Sequence, residues 1–91
     1  MKKEEILTTL EETAEKLSIK VDYDDLKKGE VDTKGGLFIL KGERRILIHK
    51  SLSSIEKIGI LTDLLASLDI EGVHIPTEVR DILEEKKRRD I

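Results

Sequence analysis

The stretch from Gly35 to Leu68 constrains the fold most, because it holds most of the strongly apolar side chains of this 91-residue chain. Two apolar runs, Leu37 to Leu40 and Ile46 to Ile48, flank a charged segment, Lys41 to Arg45, that contains Gly42. Two such runs around a glycine-containing turn predict an antiparallel β-hairpin. Both runs are apolar at consecutive positions, so we expect the hairpin to be covered on both faces over part of its length.

A long apolar helix is predicted directly after the hairpin. Ser53 with Glu56 three residues later forms a capping box, which marks its start. Its apolar residues span an arc of about 220°, against the ~100° that a surface helix needs. They are Ile55, Ile58, Ile60, Leu61, Leu64, Leu65 and Leu68. We therefore expect a central helix packed on two sides. Its narrow remaining face would carry Glu56, Gly59, Asp63, Ala66 and Ser67.

The flanking segments are predicted to cover this unit. Apolar residues recur every three or four positions from Lys3 to about Leu17, which predicts an amphipathic helix. Residues 19–23 alternate apolar and polar side chains, which indicates a half-buried strand. A last helix is expected from about Thr77 to Lys87, after Pro76. The sequence therefore predicts one α+β domain, residues 1–91, with a mobile charged loop at 24–34.

Composition excludes several classes of site and protein. There is no cysteine, so disulfides and thiolate metal sites are absent. Asparagine, glutamine and tryptophan are missing while Lys and Glu abound, which predicts a thermophilic source and a high melting temperature. The amino end turns acidic early and no run reaches the ~18 apolar residues of a membrane span, so we expect a cytoplasmic protein without a signal peptide.

One family resemblance follows from the central unit. The segment from Gly36 to Gly42, then Arg45 to Ser53 and the helix, resembles the minimal zinc metallopeptidase (zincin) fold of the ImmA/IrrE type over about residues 35–68. In that family a capped helix carries the motif His-Glu-x-x-His. Aligning Leu52-Ser53 with the family's helix start places Asp63, Leu64 and Ser67 at the first His, the Glu and the second His. Two imidazoles and a carboxylate base are missing, so the resemblance implies a zincin-like fold without the zinc chemistry.

Other residues give no catalytic, cofactor or metal site. His49 and His74 lie far apart in the sequence, and with Asp63 they match no ligand spacing. The hydroxyls of Ser51, Ser53 and Ser54 are explained by helix capping. Neither the glycines nor the acidic residues of 22–32 have the spacing of a phosphate loop or a calcium loop.

The basic carboxyl end, Lys86 to Arg89, is the one local cluster that could contact nucleic acid. Nucleic-acid binding is not favoured, because acidic residues flank this cluster and the net charge is −3. One Phe and one Tyr are also too few for a surface on which bases stack. Membrane binding is not expected. Complementarity to the helix dipole accounts for the basic cluster.

The segment from Ile70 to Leu83 is predicted either to pack incompletely on the central helix or to contact a second subunit. Its candidate interface residues are Val73, Ile75, Val79, Ile82 and Leu83. The leading hypothesis is therefore a non-catalytic zincin-like domain that acts by protein contact, as a homodimer or with an unknown protein partner. A nucleic-acid-associated accessory protein and a residual metal-dependent hydrolase are the alternatives.

Overall fold

The computed structural model describes residues 1–25 and 34–89. The elements follow in the order α1 (Lys3–Lys16), β1 (Ile19–Asp24), β2 (Gly35–Leu40), β3 (Glu43–His49), α2 (Ser54–Ala66) and α3 (Thr77–Arg89). This order confirms the α+β prediction, with a helix and strand before the hairpin and two helices after it. The predicted mobile loop at 24–34 falls mainly on residues 26–33, which lie outside the described residues. Its first residue, Asp24, ends β1.

The hairpin turn is shorter than the sequence predicted. Lys41 and Gly42 form the whole turn, with φ angles of 52° and 82°. Positive φ at both central residues is typical of the two-residue turn whose twist matches the paired strands. Glu43, Arg44 and Arg45 were expected in the turn, but they begin β3 and pair with β2. Backbone pairing with an adjacent strand outweighs the polar character of these side chains.

The three strands form one mixed sheet in the order β1-β3-β2. β1 pairs with β3 in parallel, with Val21 opposite Ile46. β2 pairs with β3 antiparallel, with Leu37 also opposite Ile46. Side chains alternate between the two faces, so Val21, Leu37 and Ile46 share a face. The outer strands β1 and β2 are the edges of the described sheet.

The hydrophobic core lies on the face that carries Ile46. Its fully or almost fully buried residues are Leu10, Ala14, Ile19, Ile46, Ile48, Leu61, Leu65, Ala66, Ile70, Ile75, Val79 and Leu83. They come from all three helices, from β1 and β3, and from the segment between α2 and α3. The helices therefore cover this face. Phe38 and Leu40 are exposed on the opposite face, so the cover expected over part of the hairpin does not extend to them.

Helix α2 is central, as predicted, and lies between α1, α3 and the sheet. Its start is capped as expected: the Ser53 Oγ accepts a hydrogen bond from the Glu56 amide at 3.2 Å. The buried stripe is narrower than the predicted arc, because Leu61, Thr62, Leu65 and Ala66 alone are buried.

Three details of the α2 prediction were wrong. Ile55 was placed on the buried arc but is 62% exposed. Ala66 was placed on the polar face but is buried. Leu64 flanks the buried stripe and is half-buried.

The segment after α2 packs onto the same core. Ile75, Val79 and Leu83 are 4%, 0% and 0% exposed, while Val73 and Ile82 are half-buried. The Arg80 guanidinium donates a hydrogen bond to the Val73 carbonyl at 2.7 Å and holds the segment in place. Ile75, Val79 and Leu83 therefore complete the core of the single chain, while an interface through this segment stays a prediction. Dimerisation itself stays a prediction.

Candidate functional site

The outer edge of β2 carries backbone groups that pair with no other strand among the described residues. The His49 amide donates to the Lys34 carbonyl at 2.9 Å, and the strand register places these residues opposite each other. Hydrogen-bonded pairs alternate along an antiparallel ladder, so Gly36, Phe38 and Leu40 also bond to β3. The N–H and C=O groups of Gly35, Leu37 and Ile39 therefore point away from β3. We call this row of groups the β2 edge; no other described strand pairs with it.

The side chains at this edge are apolar and exposed. Phe38, Ile39 and Leu40 are 41%, 71% and 46% exposed. Phe38 and Leu40 lie on the face opposite the helices, which explains their exposure. Ile39 is on the helical face, opposite Arg44, and its side chain extends past the cover that the helices give to Leu37. The result is an apolar strand with an available backbone.

The two glycines of β2 have different roles. A Cβ at Gly35 would lie 2.7 Å from the Leu47 carbonyl oxygen, so only glycine allows β2 to approach β3 this closely. A Cβ at Gly36 would meet no atom within 4 Å. Gly36 therefore leaves an open space beside Phe38 on the face away from the helices.

Charged side chains also lie on that open face. Arg45 in β3 contacts Glu43 at 3.1 Å and Asp22 of β1 at 3.8 Å. The Arg45 Nε is buried without a hydrogen-bond partner among the described residues. Asp22 lies on β1, and Arg45 and Glu43 lie on the central strand β3, whereas β2 has no charged side chain. The open face is thus polar at one edge and apolar at the other.

The edge strand β1 is held by the first helix. The Tyr23 hydroxyl donates a hydrogen bond to the Glu11 carboxylate of α1. Burial raises the pKa of the Tyr23 phenol, and the hydrogen bond to Glu11 raises it further. Lys57 Nζ lies 4.9 Å from the centre of the Tyr23 ring. Tyr23 therefore links β1 to both α1 and α2.

The positions that the resemblance aligns with the zincin motif lie in α2 and at its C-cap. Asp63 is exposed and forms an ion pair with Lys86 at 3.2 Å. The hydroxyl of Ser67, the C-cap residue of α2, donates to the Leu64 carbonyl at 2.7 Å. Leu64 packs against the core and has no ionisable group. No step of zinc hydrolysis can be assigned to these three side chains.

The histidines do not join Asp63 in a site. Within residues 1–25 and 34–89, no group of three His, Asp or Glu side chains is placed to hold a metal ion. His49 is 4% exposed at the end of β3, and its Nδ1 accepts a long hydrogen bond from the Ser51 amide. His74 is exposed, and its carbonyl accepts a hydrogen bond from Lys16.

The basic end of α3 is partly neutralised by ion pairs. Lys86 binds Asp63, and Arg89 lies 3.3 Å from Glu85. These contacts favour a role for the cluster in holding α3 against α2 and complementing the helix dipole.

Sequence reasoning missed the β2 edge. It expected cover over part of the hairpin and did not identify Phe38, Ile39 and Leu40 as exposed residues. The available signal was the lack of any charge or proline from Gly35 to Leu40, because natural edge strands usually carry one of these. The order of strands was also needed, since β2 is an edge only because β3 pairs between it and β1.

None of the described helices is long and apolar enough to cross a membrane. Comparison of the sequence with protein families, with curated proteins and with solved structures gave no match. The candidate site therefore depends on the geometry of the chain itself.

Proposed function

We propose that this chain is a non-catalytic, zincin-like domain that acts by protein-protein contact at the β2 edge. The unpaired backbone of Gly35, Leu37 and Ile39, beside exposed Phe38 and Leu40, is the observation that carries the proposal. An extended segment of a partner can add to such an edge as a further strand, with backbone hydrogen bonds and alternating side-chain contacts.

The non-catalytic part of the proposal is supported by the side chains at the motif positions. A leucine at the position of the base cannot deprotonate a zinc-bound water. Purified without chelator, the protein should hold far less than one equivalent of zinc and hydrolyse no peptide. Stoichiometric zinc that survives dialysis and is lost in Asp63→Ala would contradict this part and favour the residual hydrolase.

A peptide selection tests the protein-contact part. Displayed peptides would be selected on the immobilised chain and counter-selected on Ile39→Pro, which removes one outward N–H and leaves the bonds to β3. We expect enrichment of peptides with alternating apolar residues that bind the chain and not the proline variant. Failure to find any peptide that distinguishes the two, for a chain that is also monomeric in sedimentation equilibrium, would overturn the proposal.

The matched control is Ile39→Thr, which keeps the outward N–H and a β-branched side chain. It should retain most of the peptide binding.

Filter binding of single-stranded and double-stranded nucleic acid at low and moderate salt would be run in parallel. Salt-sensitive binding that is lost in Lys87→Ala/Arg88→Ala, with no edge-dependent peptide, would favour the nucleic-acid alternative.

A further inference from the structure

We propose that the partner at the β2 edge is a second copy of this chain, paired through β2 in one two-fold register centred on Leu37. This inference rests on the proposed function, because it uses the same edge, and it adds the identity and register of the partner. The pairing would join the two three-stranded sheets into one continuous sheet.

The backbone fits this register. With Leu37 opposite Leu37 of the second copy, Gly35 lies opposite Ile39 and Ile39 opposite Gly35. All three are outward-facing residues, so each opposed pair exchanges two hydrogen bonds, about six in total. Every unpaired group of the β2 edge is then satisfied.

The side chains are complementary in size in the same register. Gly35 lies opposite Ile39, the most exposed of the large apolar residues described. On the other face Gly36, with open space above it, lies opposite Phe38. A bulky cross-strand neighbour covers the backbone that a glycine leaves open in a sheet, and Gly36 is the glycine with this open space, since the Leu47 carbonyl lies close to Gly35. Each subunit thus supplies two glycines and two large residues to the opposite subunit.

The charges permit the same pairing. Gly35–Leu40 contains no charged residue, so no like charges oppose each other along the strand. Leu40 would lie opposite Lys34, whose charge is directed toward Glu56 at 3.8 Å. The long stem of Lys34 can then contact Leu40 while its ammonium group stays in water.

The hairpin turn disfavours a neighbouring register. A shift of two residues toward the turn would place Leu37 opposite Ile39 and would require Lys41 to bond opposite Gly35. Lys41 has a φ of 52°, in the left-handed region, and cannot continue a strand. The register centred on Leu37 is therefore the one that uses the whole of β2 and none of the turn.

Sedimentation equilibrium at high micromolar concentration tests the dimer. We expect a species of twice 10.4 kDa for the unmodified chain and for Ile39→Thr. Ile39→Pro should be monomeric with an unchanged far-ultraviolet circular dichroism spectrum. A monomeric unmodified chain, or a dimer that survives Ile39→Pro, would overturn the inference.

Amide hydrogen exchange on the unmodified chain gives a test that needs no variant to fold. In a monomer the Leu37 and Ile39 amides should exchange quickly while that of Phe38 is protected by its bond to β3. In the proposed dimer all three are protected, and protection of Leu37 and Ile39 falls on dilution. Fast exchange of both at high concentration would contradict the pairing.

Cross-linking tests the register, since the chain has no native cysteine. Residues 36 and 38 of opposite subunits would form a non-hydrogen-bonded pair with Cα atoms about 4.5 Å apart, within reach of a disulfide. A mixture of Gly36→Cys and Phe38→Cys should therefore give mainly the mixed dimer on oxidation. Dominant self-linking of Phe38→Cys would indicate the shifted register and overturn the one proposed.

The peptide selection separates the two proposals. Edge-dependent peptides with a monomeric chain would leave the proposed function standing and exclude the second copy as partner. Neither peptides nor dimer would overturn both.

Discussion

β1 and β2 are the two edge strands of one sheet, and both pair with β3. β1 alternates the apolar or aromatic residues Ile19, Val21 and Tyr23 with the charged residues Lys20, Asp22 and Asp24, and its Tyr23 is bonded to α1. β2 has no charge and exposes three large apolar side chains in a row. Charged residues make edge-to-edge pairing unfavourable, so β1 has the protection that natural edge strands usually carry. Since the two strands have the same place in the sheet, their side chains decide which edge is open to a partner.

A substitution in the central strand β3, which both edge strands share, should have the largest effect on stability. Ile46 is 0% exposed and lies between Val21 of β1 and Leu37 of β2. Ile46→Ala should lower the free energy of unfolding by about 2–5 kcal/mol, because it leaves a cavity under both edges. Denaturant unfolding measures this loss. Ile55→Ala, at an exposed residue, is the control and should change stability by about 0.5 kcal/mol or less.

The two glycines of β2 should respond in opposite directions. Gly35→Ala should cost about 1–3 kcal/mol, because its methyl group would overlap the Leu47 carbonyl. Gly36→Ala meets open space and should be neutral or stabilise by up to about 1 kcal/mol through a less flexible unfolded chain. Thermal unfolding of the two variants, each compared with the unmodified chain, measures these changes in stability. Equal effects would mean that β2 does not approach β3 as closely as described.

Removing the charges of β1 should make the two edges alike. Lys20→Thr/Asp22→Thr takes two charged side chains from β1 and leaves its backbone edge unpaired. We expect self-association to strengthen about tenfold, corresponding to about 1.4 kcal/mol, and larger species to appear, since each chain would have two open edges. Sedimentation velocity over a concentration series measures this. No change in association would mean that charge is not what protects β1.

The β1 edge should also weaken in alkali. The raised pKa of Tyr23 means that the folded chain keeps a proton that the unfolded chain releases above about pH 10. Its contribution to stability is therefore complete below about pH 10 and falls as the pH rises toward the folded pKa. The free energy of unfolding of the unmodified chain should decline more steeply than that of Tyr23→Phe. The chain has one tyrosine, so tyrosinate absorbance reports this group alone.

The smallest effect is expected far from both edges. Asp63 is exposed, and its ion pair with Lys86 lies between α2 and α3. Asp63→Ala should cost no more than about 1 kcal/mol, as for other exposed ion pairs. It should leave association at the β2 edge unchanged. A large loss of stability, or a change in dimerisation, would show that α2 and the β2 edge are coupled.

Much of the fold was predictable from local patterns. The capping box of Ser53 and Glu56 marked the start of α2 correctly, and period-two alternation gave β1. These signals act between residues close in sequence, so they do not depend on where the element lies in the fold. The extent of the hairpin turn was less predictable, since Arg44 and Arg45 became strand residues through pairing with Ile39 and Phe38.

The burial of particular side chains depended on the neighbouring elements. Ile55 and Ile39 are apolar and were expected to be covered, yet no described element covers either fully. Ile75 and Leu83 were candidates for a surface, yet α2 and the sheet left a space that they fill. Sequence periodicity predicts which residues share a face, but it does not predict which element that face will meet.

The sequence by itself determined the elements, their order and the absence of charge in Gly35–Leu40, because these follow from side-chain type and local backbone preference. Only the tertiary structure decided that β3 pairs between the other two strands and that the helices cover one face of the sheet. Strand order results from contacts between residues distant in the chain. Those contacts leave the unprotected strand at an edge, where its apolar side chains and outward backbone groups are available to a partner.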